Sequence, residues 1–160
     1  MFTLKIDQKR LALSLLCEGS SIRAASRVSG ISRSTIQRLL LRLGEGSRLL
    51  LDQGMRRLEC PTVQVDEVWG FVGKKDRHLR PEDDPRELGS FYLFTALCVD
   101  SKALVAYRLG KRDFETTRAF LRDLQRRVLA PFQLTTDEYL PYRRSVRAIF
   151  GDTIHYGSMT

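Results

Sequence analysis

Thr62-Val63-Gln64-Val65-Asp66-Glu67-Val68-Trp69-Gly70-Phe71-Val72-Gly73-Lys74-Lys75 is the stretch whose reading decides the fold. Valine and aromatic residues dominate it, the composition of a β-strand. Two adjacent carboxylates, Asp66 and Glu67, sit at its middle. Neighbours on a strand point to opposite faces, so one carboxylate is expected on each side of the sheet. A solvated edge strand tolerates both. A central strand does not, because a buried carboxylate without a partner is expensive. A metal ion, or a charged group elsewhere in the chain, is therefore expected beside this strand.

Composition narrows the partners. The chain has 160 residues, 42% of them hydrophobic, enough for one domain of ordinary size or a small one beside a medium one. A formal net charge of +8 and a pI near 9.8 point to a polyanion, most often nucleic acid. Arginine outnumbers lysine, which favours forked phosphate contacts. Cys17, Cys60 and Cys98 form no C-x-x-C pair and read as buried thiols in a reducing compartment, with no structural zinc. Charge comes too early for a signal peptide, and the apolar runs are too short to span a bilayer. A cytoplasmic protein without membrane association is expected.

Upstream of the strand the pattern is helical. Asp7 can cap a helix running to about Cys17, and Ser20 or Ser21 a second from Ile22 to Val28. Gly30 suits a left-handed turn, after which Ser32 caps a third helix from Arg33 to about Leu43, stopped by Gly44. Two short helices joined through a glycine turn match a helix-turn-helix, whose second helix lies in the major groove. Arg33, Ser34, Gln37 and Arg38 would then face base edges, while Arg23, Arg27 and Arg42 would serve phosphates. A helical hairpin with a basic, solvated face is the plainer alternative. Leu49 to Leu58 reads as a further helical or linking segment, and Cys60-Pro61 as its end. The expected division is 1–45 for the helix-turn-helix region, 46–61 for a linker and 62–160 for a second domain.

Downstream, residues 76–89 form a charged, mobile loop in which His78 is a solvated group. Phe91 to Val99 is almost continuously apolar, which predicts a strand buried on both faces. Ala103 to Leu109 completes a hairpin, and Asp113 caps a helix from Phe114 to about Leu129. Its apolar stripe is Phe120, Leu121, Leu124 and Val128; Arg118, Arg122, Arg126 and Arg127 line the polar side. A short strand ends at Thr136, followed by Asp137-Glu138, a helix from Pro141 to Phe150, and a last strand near Ile154 to Tyr156. The expected fold is α/β: the helix-turn-helix, then a partial ribonuclease H-like mixed sheet in the order strand, strand, strand, helix, strand, helix. That order sets Asp66 beside Asp137 on neighbouring strands, where two carboxylates suit hard divalent ions. The spacing equally allows Asp137 to cap the next helix while Asp66 pairs with an arginine.

Four motifs, in this order, resemble bacterial transposases of the insertion-sequence-one type, in the aspartate-aspartate-glutamate superfamily. They are Gln64 to Val72, Phe94 to Lys102, Gly110 to Asp113, and Gln133 to Asp137 with Tyr139 or Tyr142. Ser21 to Thr35 resembles that family's helix-turn-helix. The resemblance implies cleavage and joining of double-stranded DNA at element ends and target, with Mg2+ or Mn2+, by a homo-oligomer on bacterial nucleoid DNA. Its first two aspartates carry over to Asp66 and Asp137 as catalytic metal ligands, and Glu67 to a supporting role. The family's third acid, a glutamate, lies on a helix beyond the strand at Ile154 to Tyr156, and the chain stops at Thr160. Neither Glu138 nor Asp152 is placed to replace it. The expectation is a copy truncated within its catalytic domain, with little or no strand transfer. A DNA-binding remnant that regulates transposition is the alternative, and a small ribonuclease H-type nuclease a weaker one.

Overall fold

The computed structural model describes residues 5–159. They fall into two compact units divided between Gly54 and Met55.

The first unit holds three helices: α1 (Ile6–Cys17), α2 (Ile22–Ser29) and α3 (Arg33–Gly54). Ser21 Oγ accepts from the Ala24 N–H at 3.1 Å, and Ser32 Oγ from the Thr35 N–H at 3.3 Å, so each serine satisfies an amide that the first helical turn leaves open. Gly30 ends α2 with φ of 70°, a left-handed conformation that a side chain would strain. Ala12, Ala25, Ile31 and Ile36 form the small core, with Leu15, Leu16, Ile22 and Leu40 packed around it. Two alanines at its centre let the helices approach closely.

Three expectations change here. α1 begins at Ile6 behind Lys5, so Asp7 lies in its first turn and is not its cap. The third helix does not stop at Gly44; it continues through Gly44 and Gly46 to Gly54, and Leu49 begins no separate segment. A glycine inside a helix costs only about 1 kcal/mol, which neighbouring turns can absorb. Arg48 assists by bonding Glu45 one turn back at 2.8 Å and Asp52 one turn ahead at 3.0 Å. Cys17 is exposed, whereas Cys60 and Cys98 are buried.

The second unit is a five-stranded mixed sheet of order β3-β2-β1-β4-β5 with two helices. Its elements are β1 (Thr62–Val72), β2 (Gly89–Cys98), β3 (Leu104–Gly110), α4 (Phe114–Arg127), β4 (Gln133–Thr136), α5 (Leu140–Phe150) and β5 (His155–Ser158). β1, β2 and β3 make an antiparallel meander. α4 then crosses back so that β4 runs parallel to β1, and β5 parallel to β4. This is the ribonuclease H-like order.

One face of the sheet is the core. Val63, Val65, Phe94, Ala96, Cys98, Ala106 and Leu134 meet Phe120, Leu121 and Leu124 of α4 and Tyr142, Val146 and Phe150 of α5. The other face is more open among the described residues. Leu93, Thr95 and Leu97 of β2 are only half-buried there, and Val68, Leu104 and Leu109 are exposed. β2 is therefore central in the sheet but not buried on both faces, as its apolar run had suggested. Arg127 also departs from the polar side of α4. It is 3% exposed, with Nε on Asp123 Oδ2 at 2.8 Å, so the stripe reading fails at the helix end, where α4 meets residues 55–58.

The charged loop after β1 is tied down. A short 3-10 turn covers Asp76–His78, Lys74 Nζ bonds Asp83 at 2.6 Å, and Asp76 Oδ1 accepts from the Ser90 N–H at 2.6 Å. His78 is exposed, as expected of a solvated group.

Candidate active site and nucleic-acid interface

β1 splits its carboxylate doublet between the two faces of the sheet. Asp66 shares the open side with Gln64 and Val68 and is exposed. Glu67 follows Val63 and Val65 to the core side, where it lies opposite Phe94. Parallel pairing with β4 runs from Thr62 opposite Gln133 to Gln64 opposite Thr135, and ends two residues before Asp66 and Asp137. Asp137 stands one residue beyond β4, where the backbone leaves the sheet for α5. Asp66 thus lies in the middle of β1, and Asp137 directly follows the strand paired with it.

Their partners are not those the plainer reading supposed. Asp66 Oδ1 accepts from the N–H of Glu67 at 2.7 Å. Asp137 Oδ1 accepts from the N–H of Tyr139 at 3.1 Å, and Tyr139, not Asp137, is the residue at the N-cap of α5. The arginine goes to the other two acids. Arg112, in the turn between β3 and α4, places Nε on Glu67 Oε2 at 2.8 Å and Nη2 on Asp137 Oδ2 at 2.9 Å. Its guanidinium also lies 4.0 Å from the ring centroid of Tyr139 and 5.8 Å from that of Tyr92. Burial works against its charge, but Glu67 and then Asp137 outweigh it and hold Arg112 above its ordinary range.

Beneath this bridge the site becomes dry. The Glu67 side chain is 6% exposed, and the buried Tyr142 hydroxyl lies close enough to its carboxylate to interact with it. Burial, and after it the Glu67 carboxylate, pushes the Tyr142 phenol far above its usual range. Tyr142 stays neutral.

Sequence reasoning missed Arg112. It saw that a mid-strand acid needs a cation and assigned Gly110-Lys111-Arg112-Asp113 only to a helix start and to a family resemblance. The helix start is present: Asp113 Oδ1 accepts from the Thr116 N–H at 2.7 Å. Lys111 donates to the carbonyls of Leu88 at 2.7 Å and Ser90 at 2.9 Å, fastening the start of β2. Among 27 lysines and arginines, nothing short of the fold selects the one that reaches Glu67.

In the helical unit, Arg23, Arg27, Arg33, Ser34, Gln37, Arg38 and Arg42 are all exposed. Arg23 at the start of α2 and Arg33, Ser34 and Gln37 at the start of α3 line one open depression with Ile22 and Ser32. Ser34, Gln37 and Arg38 line a second with Leu40 and Leu41. Donors and acceptors suited to base edges and phosphates are gathered on the first turns of α3 and beside them. No group of three or more His, Cys, Asp or Glu side chains forms a metal cluster among the described residues. No described helix is long and apolar enough to cross a membrane.

Comparison with known proteins agrees with this architecture. Residues 3–51 match the model of a homeodomain-like domain, a helix-turn-helix type. No curated protein sequence matches the chain. Among solved structures, the piggyBac transposase in a synaptic complex with hairpin DNA is similar in fold, with a TM-score of 0.54 and 12% identity over 99% of this chain and 43% of that one. The Mos1 strand transfer complex aligns at a TM-score of 0.37 and 16% identity, over 98% of this chain and 59% of that one. The Mos1 mariner paired-end complex with Mn gives 0.38 and 16%, over 98% and 60%. The chain thus spans between 43% and 60% of the length of these transposases. A homeodomain-like three-helix domain precedes a ribonuclease H-like sheet, and the fold is similar to that of the piggyBac transposase.

Proposed function

We propose that the chain is a transposase-type protein whose helical unit binds double-stranded DNA and whose sheet carries the centre for phosphodiester chemistry. The observation that supports this most directly is the parallel pairing of β1, which carries Asp66, with β4, which Asp137 directly follows, in a chain that also presents a basic helix-turn-helix. The same reading makes it a relative of insertion-sequence-one transposases that acts as a homo-oligomer on element-end and target DNA in a bacterial cytoplasm.

The donor set fits a hard divalent cation. Asp66 and Asp137 offer carboxylate oxygens, the ligands that Mg2+ and Mn2+ prefer, and Mg2+ is commonly held by one or two carboxylates completed by substrate phosphate. When bound, such an ion would stabilise charge on the transferring phosphate and activate a water or a 3′-hydroxyl. The chain supplies the rest. β1 carries Asp66, β4 leads directly into Asp137, the Tyr139 N–H bonds Asp137, and the first turns of α3 carry the groups that would read DNA. Glu67 supports through Arg112 and does not share the open face with Asp66.

Arg112 also gives weight to a second reading, a DNA-binding regulator, because its guanidinium already neutralises Asp137. Cleavage and joining of element-end DNA, measured with Mg2+ or Mn2+ for the unaltered chain, Asp66→Asn and Asp137→Asn, separates the two. Metal-dependent turnover lost in both variants, with DNA binding retained, supports the transposase reading. DNA binding without turnover in all three proteins supports the regulator. Turnover indifferent to both aspartates would sink the proposed centre.

A further inference from the structure

We infer that Arg112 is a positioning residue that competes with a divalent cation for Asp137, and that Glu67 is the anchor that keeps it there. The inference rests on the metal-binding reading of Asp66 and Asp137 and adds a built-in competitor to it.

The two ends of the bridge differ. At one end, Glu67 has a 6% exposed side chain, rooted on the core side of a central strand opposite Phe94. At the other end, Asp137 is 47% exposed, stands beyond the last residue of β4, and contributes one oxygen to Arg112 and one to a backbone amide. Between them the guanidinium is planar, forked and stacked on Tyr139 at 4.0 Å, so its position is held by shape as well as by charge. A cation that binds the Arg112-bonded oxygen of Asp137 has to displace that one half-exposed hydrogen bond. Arg112 keeps its buried partner when that happens. The arrangement is a cation tethered at its dry end and exchangeable at its wet end.

Two consequences separate this from a purely structural salt bridge. Removing Arg112 should tighten divalent binding, because a positive charge leaves the neighbourhood of a ligand. A loosened structure would weaken it. Removing an arginine of equal charge elsewhere on the second unit should do neither; Arg118, exposed on α4, is such a control.

The experiment measures Mn2+ binding to the full chain by loss of the free-ion electron paramagnetic resonance signal. The proteins are the unaltered chain, Asp66→Asn, Asp137→Asn, Arg112→Gln, Glu67→Gln/Arg112→Gln and Arg118→Gln, each checked for cooperative thermal unfolding. The double variant replaces the ion pair by two neutral amides, so the buried carboxylate is never left without its cation. Tightening of about tenfold is expected for both Arg112 variants, the order of effect of removing one unit charge from beside a divalent ion in a largely solvated site. Arg118→Gln should leave the affinity unchanged. Binding that survives both aspartate variants would remove the metal site itself, and this inference with it. Binding lost in both aspartate variants but unchanged or weaker in the Arg112 variants would overturn the inference while the metal site stands.

Discussion

Truncating the two partners of the Glu67–Arg112 pair should have unequal costs. Glu67 is 6% exposed and Arg112 36% exposed, and Arg112 keeps Asp137 and Tyr139 when Glu67 is gone. Arg112→Ala therefore leaves a buried carboxylate with no cation, a loss of about 3–5 kcal/mol for pairs of this kind. Glu67→Leu removes the buried charge itself and fills the space beside Phe94 and Tyr142 with apolar atoms. Only a half-wet arginine loses a contact, and the cost should be about 0–1.5 kcal/mol, since replacing buried ion pairs by apolar groups is often neutral or better. The double variant should be no less stable than Arg112→Ala alone, because the stranded charge has gone with its partner. Urea unfolding followed by the fluorescence of Trp69 and by circular dichroism gives the three values. The reasoning fails if Glu67→Leu costs as much as Arg112→Ala, or if the two losses simply add.

Other consequences can be tested with the same protein. Asp113→Ala removes the side-chain cap on the Thr116 N–H and should lower stability by about 1 kcal/mol in urea unfolding, leaving the fold intact. Arg33→Ala and Arg38→Ala should each weaken binding to the preferred DNA by about 1–3 kcal/mol if they contact bases; equal weakening on unrelated duplexes would make them phosphate contacts. Burial, and after it Cys98, raises the Cys60 thiol from 9.0 to about 12. Its folded-state value lies above the unfolded one, so its stabilising contribution is complete below pH 9.0 and is lost as pH rises towards about 12. Cys60→Ala should flatten that part of the pH–stability curve, and mass spectrometry after brief alkylation at neutral pH should find the label on exposed Cys17, not on Cys60.

Much of the molecule was legible in one dimension because its signals are local. Ser21, Gly30, Ser32 and Asp113 each act within a few residues of themselves, so helix starts and stops can be read where such groups occur. Alternation did the same for β1, since the side to which Val63 and Val65 point decides the sides of Asp66 and Glu67. Locality also explains two errors. Gly44 weakens a helix without ending it, and whether α3 continues depends on the turns around it, including the Arg48 bridges. The apolar run of β2 implied cover on both faces, but a strand's composition does not say what packs over it.

By itself, the sequence determined the order of elements and the basic helix-turn-helix. Those follow from period, capping chemistry and the order of the strands, which depend on near neighbours or on few alternatives. Only the tertiary structure decided that Arg112 bridges Glu67 and Asp137, 45 and 25 residues away from it in the chain. Charge attraction has no sequence signature: any arginine could neutralise a buried glutamate, and the turn between β3 and α4 is what delivers this one.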